Sequence, residues 1–114
     1  MDRQELREHG RYVQAELGLK RGGAPEIVPG FDDFIAEASF GNVWDRPHLN
    51  REDRMICTLG ILGFLPQPAA LEQMVEAALD IGLEPRTILE TFMHSGLYAG
   101  YVTTESAAVI AQKV

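Results

Sequence analysis

Phe40-Gly41-Asn42-Val43-Trp44-Asp45-Arg46-Pro47-His48-Leu49-Asn50-Arg51-Glu52-Asp53-Arg54, running on into Met55-Ile56-Cys57-Thr58-Leu59-Gly60-Ile61-Leu62-Gly63-Phe64-Leu65, decides how this chain is read. The first part gathers the only tryptophan, a proline, a histidine and three arginines at the entrance to the second. The second is apolar on nearly every side, which predicts a central helix covered by neighbours. Gly60 and Gly63 weaken it as a helix but let another backbone approach closely. Asn50 suits its N-cap, Glu52 and Asp53 suit the positive end of its dipole, and Pro66 and Pro68 end it. Polar and aromatic groups this dense beside a core element form a pocket wall more readily than a passive linker.

Working outward, the chain reads as about six helices with short joints and no convincing strand. The first covers roughly Arg3 to Leu17, with Leu6, Tyr12, Val13 and Leu17 near one side. Lys20-Arg21-Gly22-Gly23-Ala24-Pro25 breaks it. A second runs from about Phe31 to Phe40, expected to bury Phe31, Phe34, Ile35 and Ala38 while Asp32, Asp33 and Glu37 face water. Gly41 closes it. The fourth spans about Ala69 to Ile81, with Leu71, Met74, Val75, Ala78 and Leu79 as a stripe and Gly82 as its cap. The fifth starts at Pro85 and reaches roughly Tyr98, with Ile88, Leu89, Phe92, Met93 and Leu97 inward. A short last helix follows Thr103 or Thr104 and carries Ala107, Ala108, Ile110 and Ala111. The class is all-α, in a single domain over residues 1–114.

At 114 residues, 46% of them hydrophobic, the chain has enough apolar mass for a core. A domain this short still buries a modest share of its surface, so self-association is a natural way to bury more. Ten basic against seventeen acidic residues give a net charge of −7. That balance disfavours nucleic acid, whose binding depends on neutralising phosphates, and anionic membrane surfaces. The longest apolar run is too short for a bilayer span of about 20 residues. A lone cysteine and a charged N-terminal stretch without an apolar signal core point to a soluble, cytoplasmic protein.

Glu90, His94 and Tyr98 follow one another at intervals of four, which stacks them on one helix face. A carboxylate one turn before a histidine can orient the ring and stabilise the imidazolium, and the phenol adds a donor. Histidine titrates near neutrality and so can give and take a proton. The alternative is an ordinary ion pair beside a half-buried tyrosine. Arg46, Arg51 and Arg54 offer guanidinium groups for a substrate carboxylate, with pairing to Asp45, Glu52, Asp53 or Asp33 as the structural alternative, favoured for Arg51. Trp44 is a packing anchor or a substrate platform. His48 is a pocket residue or a loop hydrogen-bonder. Metal binding is not expected, because His9, His48 and His94 lie far apart and lack ligand spacing. Cys57, inside an apolar helix, is expected to be buried and inert.

Gly30-Phe31-x-x-Phe34 and Phe40 to Arg54 resemble the front half of the carboxymuconolactone decarboxylase domain. Ala77-Ala78-Leu79-Asp80-Ile81-Gly82-Leu83-Glu84-Pro85-x-x-Ile88-Leu89-Glu90 and Tyr98-Ala99-Gly100 resemble its back half. The resemblance covers nearly the whole chain and implies an all-helical, alkylhydroperoxidase-like fold assembling as homotrimers or homohexamers. The peroxidase branch of that family uses a Cys-x-x-Cys pair and a histidine, whose positions here are Gln67, Ala70 and Met74. Without a resolving thiol, thiol–disulfide turnover has no path at that site. The decarboxylase branch implies cofactor-free lyase chemistry in aromatic compound catabolism. Its usual fourth-helix histidine also falls at Met74, while His94 takes a fifth-helix position that is often glutamine. The Gly100-Tyr101-Val102-Thr103-Thr104 run departs from the family's Gly-x-Pro-Ala-Ala. These comparisons imply an acid/base role for His94 with Glu90 and Tyr98, and substrate contacts from Arg46, Arg54, Trp44, His48 and Met74. The alternative is a non-catalytic binding or assembly protein on the same scaffold.

Overall fold

The computed structural model describes residues 1–19, 28–65 and 67–114. Among them there are helices and turns and no strand. They comprise α1 (Arg3–Glu16), α2 (Phe31–Ile35, continuing as a π-helical stretch, Ala36–Gly41), α3 (Arg51–Leu62), α4 (Pro68–Asp80), α5 (Pro85–Ala99) and α6 (Tyr101–Gln112). The expected glycine–proline break at Lys20 to Pro25, and Pro66, lie outside the described residues. The chain divides into two compact units, Met1–Arg51 and Glu52–Val114.

In the first unit, α1 starts where Asp2 accepts a hydrogen bond from the Glu5 N–H at 2.8 Å. That backbone bond holds the Asp2 carboxyl below its ordinary value of 3.8. The capped state is therefore favoured above about pH 3.8, and the cap is lost as pH falls through the lowered folded value. Val13 and Leu17 are fully buried as the period requires, and Gly10 lies on the same side. Tyr12 turns outward and stacks against His9.

α2 reverses the expected pattern. Phe31 and Phe34 are exposed, whereas Asp32 is only 6% exposed. The reason is charge: α1 presents Arg7 and Arg11 along the facing side. Arg11 Nη1 donates to Asp32 at 2.6 Å and Nη2 to Asp33 at 2.5 Å. Arg7 Nε donates to Glu37 at 2.9 Å, and this bond, with Asp33 nearby, raises the Arg7 guanidinium above its ordinary value. A forked guanidinium between carboxylates satisfies groups that burial would otherwise penalise. The backbones then come together where side chains are missing. A Cβ at Gly10 would run into the Ala36 carbonyl, and one at Gly41 into the Leu6 carbonyl.

In the second unit α4 buries Leu71, Val75, Ala77 and Ala78, close to the expected stripe. Pro68 opens α4 as its first residue instead of ending α3; the missing N–H costs nothing there. Gly82, with φ 102°, takes a left-handed conformation just past α4. α6 begins at Tyr101, earlier than expected, because Gly100 at φ 117° makes the corner by itself. Thr104 and Ala107 face inward. α3 is less covered than its composition implies: Met55 and Leu59 are fully buried, but Ile61, Phe64 and Leu65 are exposed. On α5, Ile88 and Phe92 are buried, while Met93 and Leu97 point outward at 68% and 60% exposure. No helix among the described residues is long and apolar enough to cross a membrane.

The Gly10 contact is testable. Gly10→Ala is expected to destabilise by about 1–3 kcal/mol, the range for overpacking. The exposed Ala15→Gly change is expected to cost no more than about 1 kcal/mol. Thermal melts followed by circular dichroism compare the two.

Candidate functional site

Trp44, Arg46 and His48 belong to the first unit. The carbonyl of Ser39 accepts from both the Val43 and the Trp44 N–H at 3.0 Å, which winds the π-helical stretch into the following turn. Trp44 is buried and lies parallel to Phe40, with ring centroids 5.7 Å apart; it is a packing anchor. Arg46 and His48 are exposed, and His48 has φ 80°, a left-handed conformation that costs a non-glycine residue free energy. Asp45, between Trp44 and Arg46, holds the segment in place. His9 Nε2 stands 3.0 Å from its Oδ2, and Arg51 donates to its Oδ1 from Nε at 3.1 Å and Nη2 at 2.9 Å. Arg51 Nη1 also donates to Glu16 at 2.9 Å. Burial pulls the Arg51 guanidinium down, but the hydrogen bonds to Glu16 and Asp45 outweigh it and leave the group above its ordinary value. Arg51 is a structural cation.

The second unit carries an open groove of about 590 Å³ between α3 and α5. Ile56, Cys57, Gly60 and Ile61 form one wall, and Thr87, Glu90, Thr91, His94 and Ser95 the other. The helical period explains both rows, since each set recurs at intervals of three and four. The composition is apolar with a few polar groups, as small-molecule sites are.

His94 is exposed to this groove, and its ring centroid lies 5.5 Å from that of Tyr98 at a tilt of 52°. Among the described residues neither ring nitrogen has a hydrogen-bond partner, so both are available to a ligand. Tyr98, one turn on, is 83% exposed. Glu90 lines the groove as well, but its carboxylate accepts from Arg86 Nε at 3.1 Å and not from His94. The reason is again i,i+4 geometry: Arg86 sits one turn below Glu90, as His94 sits one turn above. Arg54 lies on α3, half-buried, its carbonyl accepting from the Thr58 hydroxyl at 2.8 Å. Met74 lies half-buried on α4.

Cys57 departs from expectation. It is exposed and lines the groove, because α5 approaches α3 at Gly60 and leaves the neighbouring turn open. Ser95 was not visible as a site residue from the sequence. The signal for it was Gly60, whose added Cβ would stand 3.0 Å from Ser95 Oγ. Among the described residues no three His, Cys, Asp or Glu side chains gather as a metal site would require.

A profile of the carboxymuconolactone decarboxylase family matches residues 29–113. A "4-carboxymuconolactone decarboxylase" from Acinetobacter baylyi is 31% identical over 84 residues, 74% of this chain and 63% of that protein. A "nitrosuccinic acid decarboxylase" from Metarhizium robertsii is 33% identical over 104 residues, 90% of this chain and 68% of that protein. An uncharacterized 15.0 kDa protein from Paracoccus denitrificans is 30% identical over 92 residues. The chain thus spans somewhat under two thirds of the first relative's length and about two thirds of the other two.

Asp45 and Trp44 are adjacent, and Trp44 is the sole tryptophan, so its emission reports on the Asp45 clamp. Asp45→Asn is expected to increase acrylamide quenching of Trp44 while far-ultraviolet circular dichroism stays unchanged.

Proposed function

The chain belongs to the carboxymuconolactone decarboxylase family, and from that premise we propose that it is a cofactor-independent decarboxylase acting on a small carboxylated molecule. The observation that carries the reading is the His94 imidazole, which lines a mostly apolar groove with its nitrogens unengaged. The names of two relatives support the reaction class and narrow the substrate. An unsaturated lactone and a nitro acid both carry an electron acceptor close to a carboxylate. Loss of carbon dioxide from such a molecule leaves its bonding pair on the acceptor, so no prosthetic group is needed to hold it.

The steps follow from that chemistry. The carbon–carboxylate bond breaks, carbon dioxide leaves, and the electron pair moves into the lactone carbonyl or the nitro group. The imidazolium of His94 then gives a proton to carbon, and water restores the proton to the ring. Apolar walls favour the first step, because the localised charge of a carboxylate is more poorly solvated there than the dispersed charge that replaces it. Glu90 supports the cationic ring. Its present bond to Arg86 is an exposed i,i+4 pair, worth about 0.3–0.5 kcal/mol, and is readily exchanged for His94. Tyr98, one turn beyond His94, is held as a donor and Arg54 on α3 as the guanidinium for a second carboxylate, although neither is among the residues lining the groove. Met74, half-buried on α4, is held as a substrate contact of lower rank.

We place the enzyme in the cytoplasm, in the catabolism of aromatic compounds, as a homotrimer or homohexamer with no nucleic-acid or membrane partner. Support for self-association comes from Met93, Leu97 and Tyr98, large side chains in sequence along α5 that remain exposed in one chain. A non-catalytic oligomeric scaffold is the alternative, favoured by Met74 where the family's fourth-helix histidine usually stands.

His94→Gln is expected to lower kcat for decarboxylation of 4-carboxymuconolactone or nitrosuccinate by about 10²-fold or more, the contribution of a general acid. Its melting temperature should match that of the unaltered protein. Full activity in that variant removes His94 from the mechanism. Native mass spectrometry is expected to show trimers or hexamers, and Leu97→Glu to shift them to monomers.

A further inference from the structure

The groove holds one more polar group in a position to touch the substrate. Four hydroxyl, carboxylate or imidazole groups share the α5 wall with Ser95, and the structure accounts for three of them. Thr91 Oγ1 donates to the Thr87 carbonyl at 2.8 Å, so its proton is committed to the helix. Glu90 accepts from Arg86. His94 is the proton carrier already described. Thr87 lies seven residues from His94, about 10 Å along the axis, and is too distant to share a small substrate with it.

Ser95 is different. It is half-buried, follows His94 directly, and its Oγ has no hydrogen-bond partner among the described residues. Opposite it stands Gly60, in the middle of α3, where glycine costs about 1 kcal/mol relative to alanine. The place where α3 lacks a side chain is the place where one would meet the Ser95 hydroxyl, at 3.0 Å. The Thr91 methyl stands 3.9 Å from that added carbon, an ordinary contact. A side chain at position 60 would therefore crowd this hydroxyl.

We propose that Ser95 contacts the substrate, its hydroxyl donating to the oxygen of the electron acceptor, and that Gly60 determines access to it. The proposal rests on the reading of His94 as the proton donor. The chemistry requires such a group close by. The acceptor oxygen of a nitro or lactone group lies only a few bonds from the carbon that His94 protonates, and it gains charge as carbon dioxide leaves. A donor aimed there stabilises the transition state more than the ground state. Ser95 moves no proton of its own in this scheme: its O–H bond stays intact and polarises the acceptor.

A double-mutant cycle on the full chain tests it, with 4-carboxymuconolactone and nitrosuccinate as probes. Ser95→Ala is expected to lower kcat by about 10-fold or more while KM changes by less than about 3-fold, the signature of an interaction made in the transition state. Gly60→Ala is expected to lower kcat/KM by about 5-fold or more in the otherwise unaltered protein, and by less than about 2-fold when Ser95 is already alanine. Losses that multiply show that Gly60 acts through packing and overturn the access role. Ser95→Ala with unchanged kcat overturns the contact, and does so even if Gly60→Ala fails to fold. If His94→Gln is inactive while Ser95→Ala is fully active, only this inference falls. If the unaltered protein turns over neither probe, the reading of His94 fails and Ser95 falls with it.

Discussion

α3 and α5 come close where Gly60 has no side chain, since a Cβ there would stand 3.0 Å from Ser95 Oγ, and the groove proposed as the site opens along this contact. The two helices are held together one turn away, where a Cβ at Gly63 would come within 2.7 Å of Phe92 Cδ1. Phe92 is fully buried, so its ring packs directly on the α3 backbone and fixes how near the helices lie. The three-residue spacing of the glycines puts both on one face. At Gly63 the chain receives the Phe92 ring, and at Gly60 it meets Ser95, beside the groove that Ser95 and His94 both line. The first unit uses the same device for packing alone: Gly10 and Gly41 let α1 and the π-helical stretch meet backbone to backbone.

Charge is distributed differently in the two units. In the first, Arg7, Arg11 and Arg51 are bound to Glu37, Asp32, Asp33, Asp45 and Glu16. Such pairs add little net stability when partly exposed, yet each forked guanidinium accepts only one arrangement of its carboxylates. They therefore select the register of α1 on α2 more than they strengthen it. In the second unit the side chains of the groove's His94 and Ser95 have no protein hydrogen bonds among the described residues. A group satisfied by its own fold has little left for a substrate. The contrast between satisfied arginines and an unsatisfied imidazole separates structural polar residues from functional ones more sharply than residue type does.

Much of this was legible in the sequence. The helical class, the stripe on α4, Pro85 at the start of α5, the structural pairing of Arg51 and the role of Gly60 in close approach all follow from local period and turn chemistry. What failed has a common physical cause: periodicity tells which residues share a face, but not what that face meets. Asp32 was read as solvated and Phe34 as buried because the arginines of α1 are invisible to a window centred on α2. Met93, Leu97 and Ile61 were read as core because an apolar residue on a helix gives no sign of whether its cover comes from the same chain. Cys57 was read as buried for the same reason. Ser95 was overlooked because a lone serine beside a histidine carries no pattern; only the glycine on the facing helix marks it.

The exposure of Cys57 calls for the chemistry of the groove to be weighed again, since a thiol and an imidazole now line one hollow. Peroxide reduction needs a thiolate to take up oxygen and a second thiol to release it as water, forming a disulfide. This chain has a single cysteine, so the second step has no intramolecular route. Decarboxylation makes no such demand. It needs an apolar surface that favours dispersed charge, a proton for carbon, and a donor for the acceptor oxygen, and the proposed site assigns the last two to His94 and Ser95. A thiol can sit at the edge of such a site without taking part, because the electrons that leave the carboxylate are received by the substrate itself. Under the proposed decarboxylation, a chain with a single cysteine needs no redox partner.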